Sequence, residues 1–130
     1  DLDSAQLYLA DCNSDACVNN LKILSNLMLK EKKFHSLESC YEVLINKTQE
    51  AYYIYRLALL RYRYLQKYNE SLVSLKNLLK TDSLNQSILV DIGNIYFIQQ
   101  DLDSAKFFYD KCLNINPKNE LAAQNLSLLN

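Results

Sequence analysis

The segment Ala51–Tyr68, AYYIYRLALLRYRYLQKY, holds six of the ten tyrosines and all three arginines of this 130-residue chain. Arginine presents a planar fork of donors that matches carboxylates and backbone carbonyls. Tyrosine combines rigid apolar area with a hydroxyl, and both types are enriched where proteins bind one another. The same pair of residue types also stacks on nucleic-acid bases. Other reactive groups offer less. His35, the only histidine, stands beside Lys32 and Lys33 with no partner that spacing brings near, and reads as a surface residue. Asp101 and Asp103 form a carboxylate pair at a helix start, where negative charge is favourable for structural reasons alone. No Gly-rich loop, H-E-x-x-H or C-x-x-C spacing occurs. The expectation is a binding protein and not an enzyme, with no catalytic residue, no metal site and no cofactor.

The elements that position the tyrosines and arginines follow from composition. Hydrophobic residues make up 49% of the chain, enough for a proper core, yet there is one Gly and one Pro. A β or α/β chain of this length needs many more turn glycines and prolines, so the shortage predicts helices joined by short polar turns. The formal net charge of -1 sets up no global field toward nucleic acid or anionic lipid. No apolar run approaches the roughly 18 residues that cross a bilayer, so no membrane span is expected. The absence of an initiator Met and of a signal-peptide pattern reads as a piece of something longer.

The string DLDSA occurs at Asp1–Ala5 and again at Asp101–Ala105, which prompts a search for internal repeats. A period of 34 emerges, with windows opening at Val18, Tyr52 and Gln86. In the third window Leu89, Ile92, Gly93 and Tyr96 are followed by Ala105, Tyr109, Cys112 and Pro117. The middle window offers Tyr55, Ala58, Leu59, Tyr62, Ser71, Leu75 and Leu78. The first offers Leu21, Leu24, Ser25, Met28, Leu37, Tyr41 and Leu44. This pattern resembles the tetratricopeptide repeat, W-x2-L-G-x2-Y, then A-x3-F, then a small residue and Pro. Leu89 stands for the Trp and Tyr109 for the Phe. The first two windows lack the Gly and the Pro and keep the spacing and apolar character.

The resemblance implies an all-α fold, an α-solenoid of antiparallel helix pairs stacked as a tetratricopeptide superhelix. One domain would span 1–130: the second helix of a partial repeat over 1–17, repeats at 18–51, 52–85 and 86–119, and a capping helix over 120–130. Asn116 before Pro117 is expected to cap that last helix. Two amphipathic stretches per window agree, since neither helix of a pair can bury its stripe alone. Gly93 makes sense where a neighbouring helix comes close.

In the middle window the frame divides the first helix into two faces. Tyr55, Ala58, Leu59, Tyr62 and Leu65 match packing columns, and Arg61 points to the edge of that face. Tyr53, Arg56, Leu60, Arg63 and Tyr64 lie opposite, on the face that in the family lines a concave groove for an extended peptide or a partner helix. The same columns bring Lys22 and Asn26 from the first window, and Asn94 and Phe97 from the third. One class of the family holds acidic chaperone tails in a carboxylate clamp. Here Lys22 and Asn26 fit, but Leu57, Ser87 and Asp91 occupy the other positions and Asp91 would repel a carboxylate, so such a tail is not the expected partner.

Of the four cysteines, Cys12 and Cys112 fall where a small buried residue is wanted, Cys40 lies within a helix, and Cys40 and Cys112 are too far apart to bridge. Cys12 and Cys17 flank a shortened turn. The reading favours reduced thiols and an intracellular compartment, whereas a Cys12–Cys17 bridge would point to an exported or envelope-associated protein. N-x-[ST] triplets at Asn46, Asn69, Asn85 and Asn125 carry little weight in a chain rich in Asn. The function expected is a non-catalytic module binding a protein or peptide, as part of a larger protein or assembly. Two alternatives stay open: an architectural spacer that self-associates through the exposed N-terminal half-repeat, and single-stranded RNA binding, which the acidic balance disfavours, so no nucleic acid is expected.

Overall fold

The computed structural model describes residue 12 and residues 14–129. Every regular element among them is an α-helix: α1 (Asp15–Lys30), α2 (Phe34–Thr48), α3 (Ala51–Arg63), α4 (Tyr68–Thr81), α5 (Gln86–Ile98), α6 (Leu102–Ile115) and α7 (Glu120–Ser127). The fold is all-α and of the α-solenoid class, as the periodicity predicts. Most of the second helix expected over 1–17, and the self-association edge expected on it, lies outside the described residues; α1 has already begun by Asp15.

The starts of α1, α5, α6 and α7 are set by short polar side chains. Ser14, Asn85, Asp101 and Asn119 accept the backbone N–H of Cys17, Ile88, Ser104 and Ala122 at 3.2, 3.1, 3.2 and 2.9 Å. Each such cap is worth about 1 kcal/mol relative to Ala. Asp101 of the second DLDSA string is therefore a cap, and its other carboxylate oxygen accepts from the Ser104 hydroxyl at 2.7 Å. The last helix is capped by Asn119 and not, as the Asn-Pro pair suggests, by Asn116. Asn116 ends α6 in extended backbone, and its side-chain oxygen accepts from the Lys118 N–H at 3.1 Å. Pro117 thus sits in a turn, and the start of α7 falls 34 residues after the start of α5.

The turns carry the same period. Lys32, Gln66 and Gln100 have φ of 57°, 57° and 63°, left-handed backbone recurring every 34 residues without a glycine at any of them. At the first and last of these, Lys33 N–H reaches Met28 C=O at 2.8 Å and Asp101 N–H reaches Tyr96 C=O at 2.9 Å. Lys32 and Gln100 N–H groups bond the Leu29 and Phe97 carbonyls at 3.1 and 3.0 Å. These are Schellman ends, which satisfy two orphan carbonyls of the terminating helix. The middle turn is wider, with Lys67 N–H bonding Arg61 C=O at 2.9 Å, six residues back.

The described residues fall into two compact units, divided between Lys67 and Tyr68. In the first, α1, α2 and α3 enclose a core that includes Leu21, Met28, Leu37, Cys40, Tyr41, Leu44, Leu57 and Leu60. Cys12 and Cys17 form a disulfide with Cα atoms 5.5 Å apart, so the expectation of reduced thiols is corrected at this pair. The Ser14 cap places Cys17 in the first turn of α1, within bridging reach of the chain that precedes it. Cys40 and Cys112 are free and buried.

In the second unit, Leu89, Val90, Ala105, Tyr109, Cys112 and Ala122 form one core cluster. A Cβ at Gly93 would lie 2.5 Å from Cε1 of Tyr109, so the glycine permits the close approach of α6 to α5. Two amide carbonyls then tie α7 down. Asn94 Oδ1 accepts from the Tyr109 hydroxyl at 2.7 Å and from Asn125 Nδ2 at 2.8 Å. Gln86 Oε1 accepts from Asn116 Nδ2 at 3.0 Å and Asn119 Nδ2 at 2.8 Å.

Candidate functional site

In the first unit a pocket of about 100 Å³ opens between the end of α1, the start of α2 and the C-terminal half of α3. Leu29, Leu37, Tyr41, Leu59 and Leu60 give it apolar walls, and Arg56, Arg63 and Tyr64 complete the lining. Four of the residues expected on the binding face of α3, namely Arg56, Leu60, Arg63 and Tyr64, thus meet in one place. Tyr64 stacks on Phe34 with ring centroids 4.2 Å apart and an interplanar angle of 12°, and remains 51% exposed. That stack fixes an aromatic edge at the pocket mouth. Arg56 is half-buried and makes no hydrogen bond or ion pair among the described residues. The Arg63 guanidinium lies 5.6 Å from the Tyr62 ring centroid, with Nε 3.4 Å from the Tyr62 hydroxyl.

The neighbouring charges are paired with one another. Arg61 donates through Nε to Glu38 at 2.9 Å and through a terminal nitrogen to Glu42 at 2.8 Å. Lys67 Nζ donates to both oxygens of Glu38, at 2.8 and 2.9 Å. Glu38 is only 12% exposed. Burial alone would raise its pKa, but the hydrogen bonds and charges of Lys67 and Arg61 outweigh that and hold it below the ordinary value. This network pins the end of α3 and its wide turn to α2, and so holds the pocket wall in place. Arg61 accordingly serves structure, in keeping with its exclusion from the expected site.

Two expected site residues do not line an open surface. Tyr53 is 7% exposed and Leu60 3%. The Tyr53 ring packs 6.1 Å from Tyr41 and edge-on to Tyr52 at 5.1 Å, with Lys22 Nζ 5.8 Å above it. Burial first, then the nearby Glu50 carboxylate, raises the Tyr53 pKa. A division of α3 into two faces is too coarse, because Tyr53, Leu57 and Leu60 form a third stripe that joins the core of the unit. Leu60 touches the pocket only as part of its floor. Lys22 pairs with Glu50 at 3.5 Å, and Asn26 is exposed one turn further along α1.

Asn94 and Phe97 belong to the second unit. Asn94 holds Tyr109 and Asn125 and has a structural role, whereas Phe97 is 38% exposed. Of the former clamp positions, Leu57 and Asp91 are buried and Ser87 is exposed. Leu37, Tyr41 and Leu59 are the lining residues that the sequence reading assigned to packing alone. Spacing could not reveal them, because whether these buried residues reach the pocket depends on where the start of α2 crosses α3.

Among the described residues no group of three or more His, Cys, Asp or Glu could hold a metal ion, and no helix is long and apolar enough to cross a membrane. His35 lies exposed in the first turn of α2. Cys40 is pushed up to about 11 by burial, and burial raises Cys112 as well, so neither is a poised thiolate.

Comparison with known proteins adds one repeat match and the fold. Residues 86–119 match the tetratricopeptide repeat family. Compared with curated protein sequences, the chain has no match. Among solved structures, the first tetratricopeptide domain of Spaghetti (RPAP3) bound to an HSP90 peptide is similar at 19% identity and a TM-score of 0.74, covering 92% of this chain and 94% of that one. The second such domain of human RPAP3, in complex with an HSP70 peptide, is 23% identical with a TM-score of 0.71, covering 84% and 91%. PcrH of Pseudomonas aeruginosa in complex with the chaperone binding region of PopB is 17% identical with a TM-score of 0.71, covering 91% and 98%. At these identities the likeness shows the fold alone.

Proposed function

With a tetratricopeptide repeat at residues 86–119 and the fold of that family as the premise, we propose that the chain is a non-catalytic protein-interaction module whose contact surface is the outer strip of α3 together with its pocket. The observation that carries this reading is the pocket itself: Arg56, Arg63 and Tyr64 converge on apolar walls supplied by all three helices of the unit. Arginine and tyrosine around an apolar recess are the residue types that dominate binding energy at protein interfaces. The solved neighbours named above hold peptides or a partner segment in the same fold, which supports a peptide or partner helix as the ligand class. Lys22 and Asn26 extend the strip along α1. The buried Leu57 and Asp91 at the former clamp positions support a ligand other than an acidic chaperone tail.

The Cys12–Cys17 bridge favours an oxidising compartment, the exported or envelope-associated alternative of the sequence reading. A random 12-residue peptide display library selected on the purified chain tests the contact surface. Peptides recovered on the wild type should lose at least tenfold in affinity for the Arg56→Ala, Arg63→Ala, Tyr64→Ala triple variant, provided its helical signal is retained. Unchanged affinity, or no recovered peptide, would sink the proposal.

A further inference from the structure

The pocket on the first unit narrows the ligand chemistry, an inference that rests on the proposed contact surface. A volume of about 100 Å³ is well above the ~10–15 Å³ that holds one water molecule and below the ~150 Å³ of a cavity that admits benzene. It therefore suits one aliphatic side chain, and the walls of Leu29, Leu37, Leu59 and Leu60 are apolar enough to reward its burial.

The charge at the rim is equally specific. Arg56 is half-buried beside that apolar wall and has no counter-ion among the described residues. The carboxylates of Glu38, Glu42 and Glu50 are engaged elsewhere: Glu38 with Arg61 and Lys67, Glu42 with Arg61, Glu50 with Lys22. No carboxylate lines the pocket. A guanidinium withdrawn from part of its water gains most from a forked pair of bonds to a carboxylate.

We propose that the pocket is an anchor subsite for an internal peptide motif in which an aliphatic side chain enters the recess and an Asp or Glu within four residues of it pairs with Arg56. Leu29, Leu37 and Leu60 form the recess, and Tyr64, held by Phe34, covers the apolar side chain from the open side. A nucleic-acid phosphate would satisfy Arg56 but leave the apolar recess unfilled. The subsite is offset from the clamp positions of the family, because its cation sits at Arg56, one residue before the buried Leu57.

The test uses the whole chain and a synthetic array of 12-residue peptides, acetylated and amidated so that no terminal carboxylate contributes. Each peptide sets Leu, Ile or Val with Asp or Glu at separations of one to four residues in a Ser/Gly background. A matched array carries Asn or Gln in place of the acid. The best acidic peptides should bind at least tenfold more tightly than their amide partners, and Arg56→Gln should reduce that preference to within about twofold. Arg56→Lys should restore part of it. Equal binding of the acidic and amide arrays would overturn the subsite while leaving the contact surface standing. Binding to neither array, with peptides still recovered from the random library on the same surface, would do the same. Failure of both arrays and of the library would remove the contact surface as well. Displacement of bound acidic peptide by equimolar oligouridine would overturn the assignment to a peptide.

Discussion

Replacing Gly93 by Ala is the most direct probe of how the repeat packs. In an exposed helix interior this change stabilises by about 1 kcal/mol through propensity. Here the new Cβ would stand 2.5 Å from Cε1 and 2.8 Å from Cδ1 of Tyr109, well inside contact distance. The ring cannot yield cheaply, because Tyr109 is 1% exposed and its hydroxyl is held by Asn94, which also holds Asn125 of α7. Overpacking of this kind costs about 1–3 kcal/mol, and displacing the hydroxyl forfeits a hydrogen bond worth about 1 kcal/mol. Against the propensity gain, Gly93→Ala should destabilise by about 1–3 kcal/mol. With a urea m-value of about 1.5 kcal/mol/M, a loss of 2 kcal/mol moves the unfolding midpoint down by about 1.3 M. The decisive arm is the double variant. In a Tyr109→Leu background the ring is gone, and Gly93→Ala should then stabilise by about 1 kcal/mol, a coupling of about 2 kcal/mol or more. Urea unfolding followed by far-UV circular dichroism reads all four proteins. A Gly93→Ala variant as stable as the parent, or an effect of the same sign in both backgrounds, would refute the reasoning.

Three other outcomes are expected. Non-glycine residues in left-handed backbone cost about 1 kcal/mol; Gly at Lys32, Gln66 or Gln100 should therefore raise stability by roughly 0.5–1 kcal/mol each, while Ala at these sites should not. Because the folded Glu38 pKa is lowered, its ion pairs contribute stability above the ordinary carboxylate range, and that contribution disappears as pH falls through the lowered folded value. Glu38→Gln should then be less stable than wild type by about 1–2 kcal/mol at pH 7, with the gap closing in acid; a gap independent of pH would contradict the pairing. Thiol titration in denaturant without reductant should find two free thiols, Cys40 and Cys112, and four after reduction; in the native chain both should alkylate slowly.

Much of the fold was legible because it depends on spacing. The 34-residue frame anticipated the helix pairs, the role of Gly93 and a helix start beside Asp101 and Asp103, since apolar periodicity and charge at helix ends are local signals. The left-handed turns at Lys32, Gln66 and Gln100 were invisible, because Lys and Gln carry no turn signature and the 34-residue context imposes the conformation. Asn116 misled for the opposite reason: Asn-Pro is a strong local signal, and the repeat frame overrode it in favour of Asn119. The candidate site was partly legible. Arg56, Leu60, Arg63 and Tyr64 followed from the frame to one pocket, but the burial of Tyr53 and Leu60 did not, because whether a stripe is covered depends on how α3 packs within its unit. Arg56 stands out only once Glu38, Glu42 and Glu50 are seen to be engaged elsewhere, a fact that belongs to three dimensions.

The central claim, that α3 and its pocket form the contact surface, is tested most directly by NMR titration. The 15N-labelled chain would be titrated with the tightest peptide from the random library, following backbone amides and arginine Nε signals. The account predicts that the largest perturbations fall on Leu29, Arg56, Arg63 and Tyr64, with the half-buried Glu38–Arg61 pair little changed. Perturbations concentrated elsewhere, with Arg56 and Tyr64 unmoved at saturation, would contradict it.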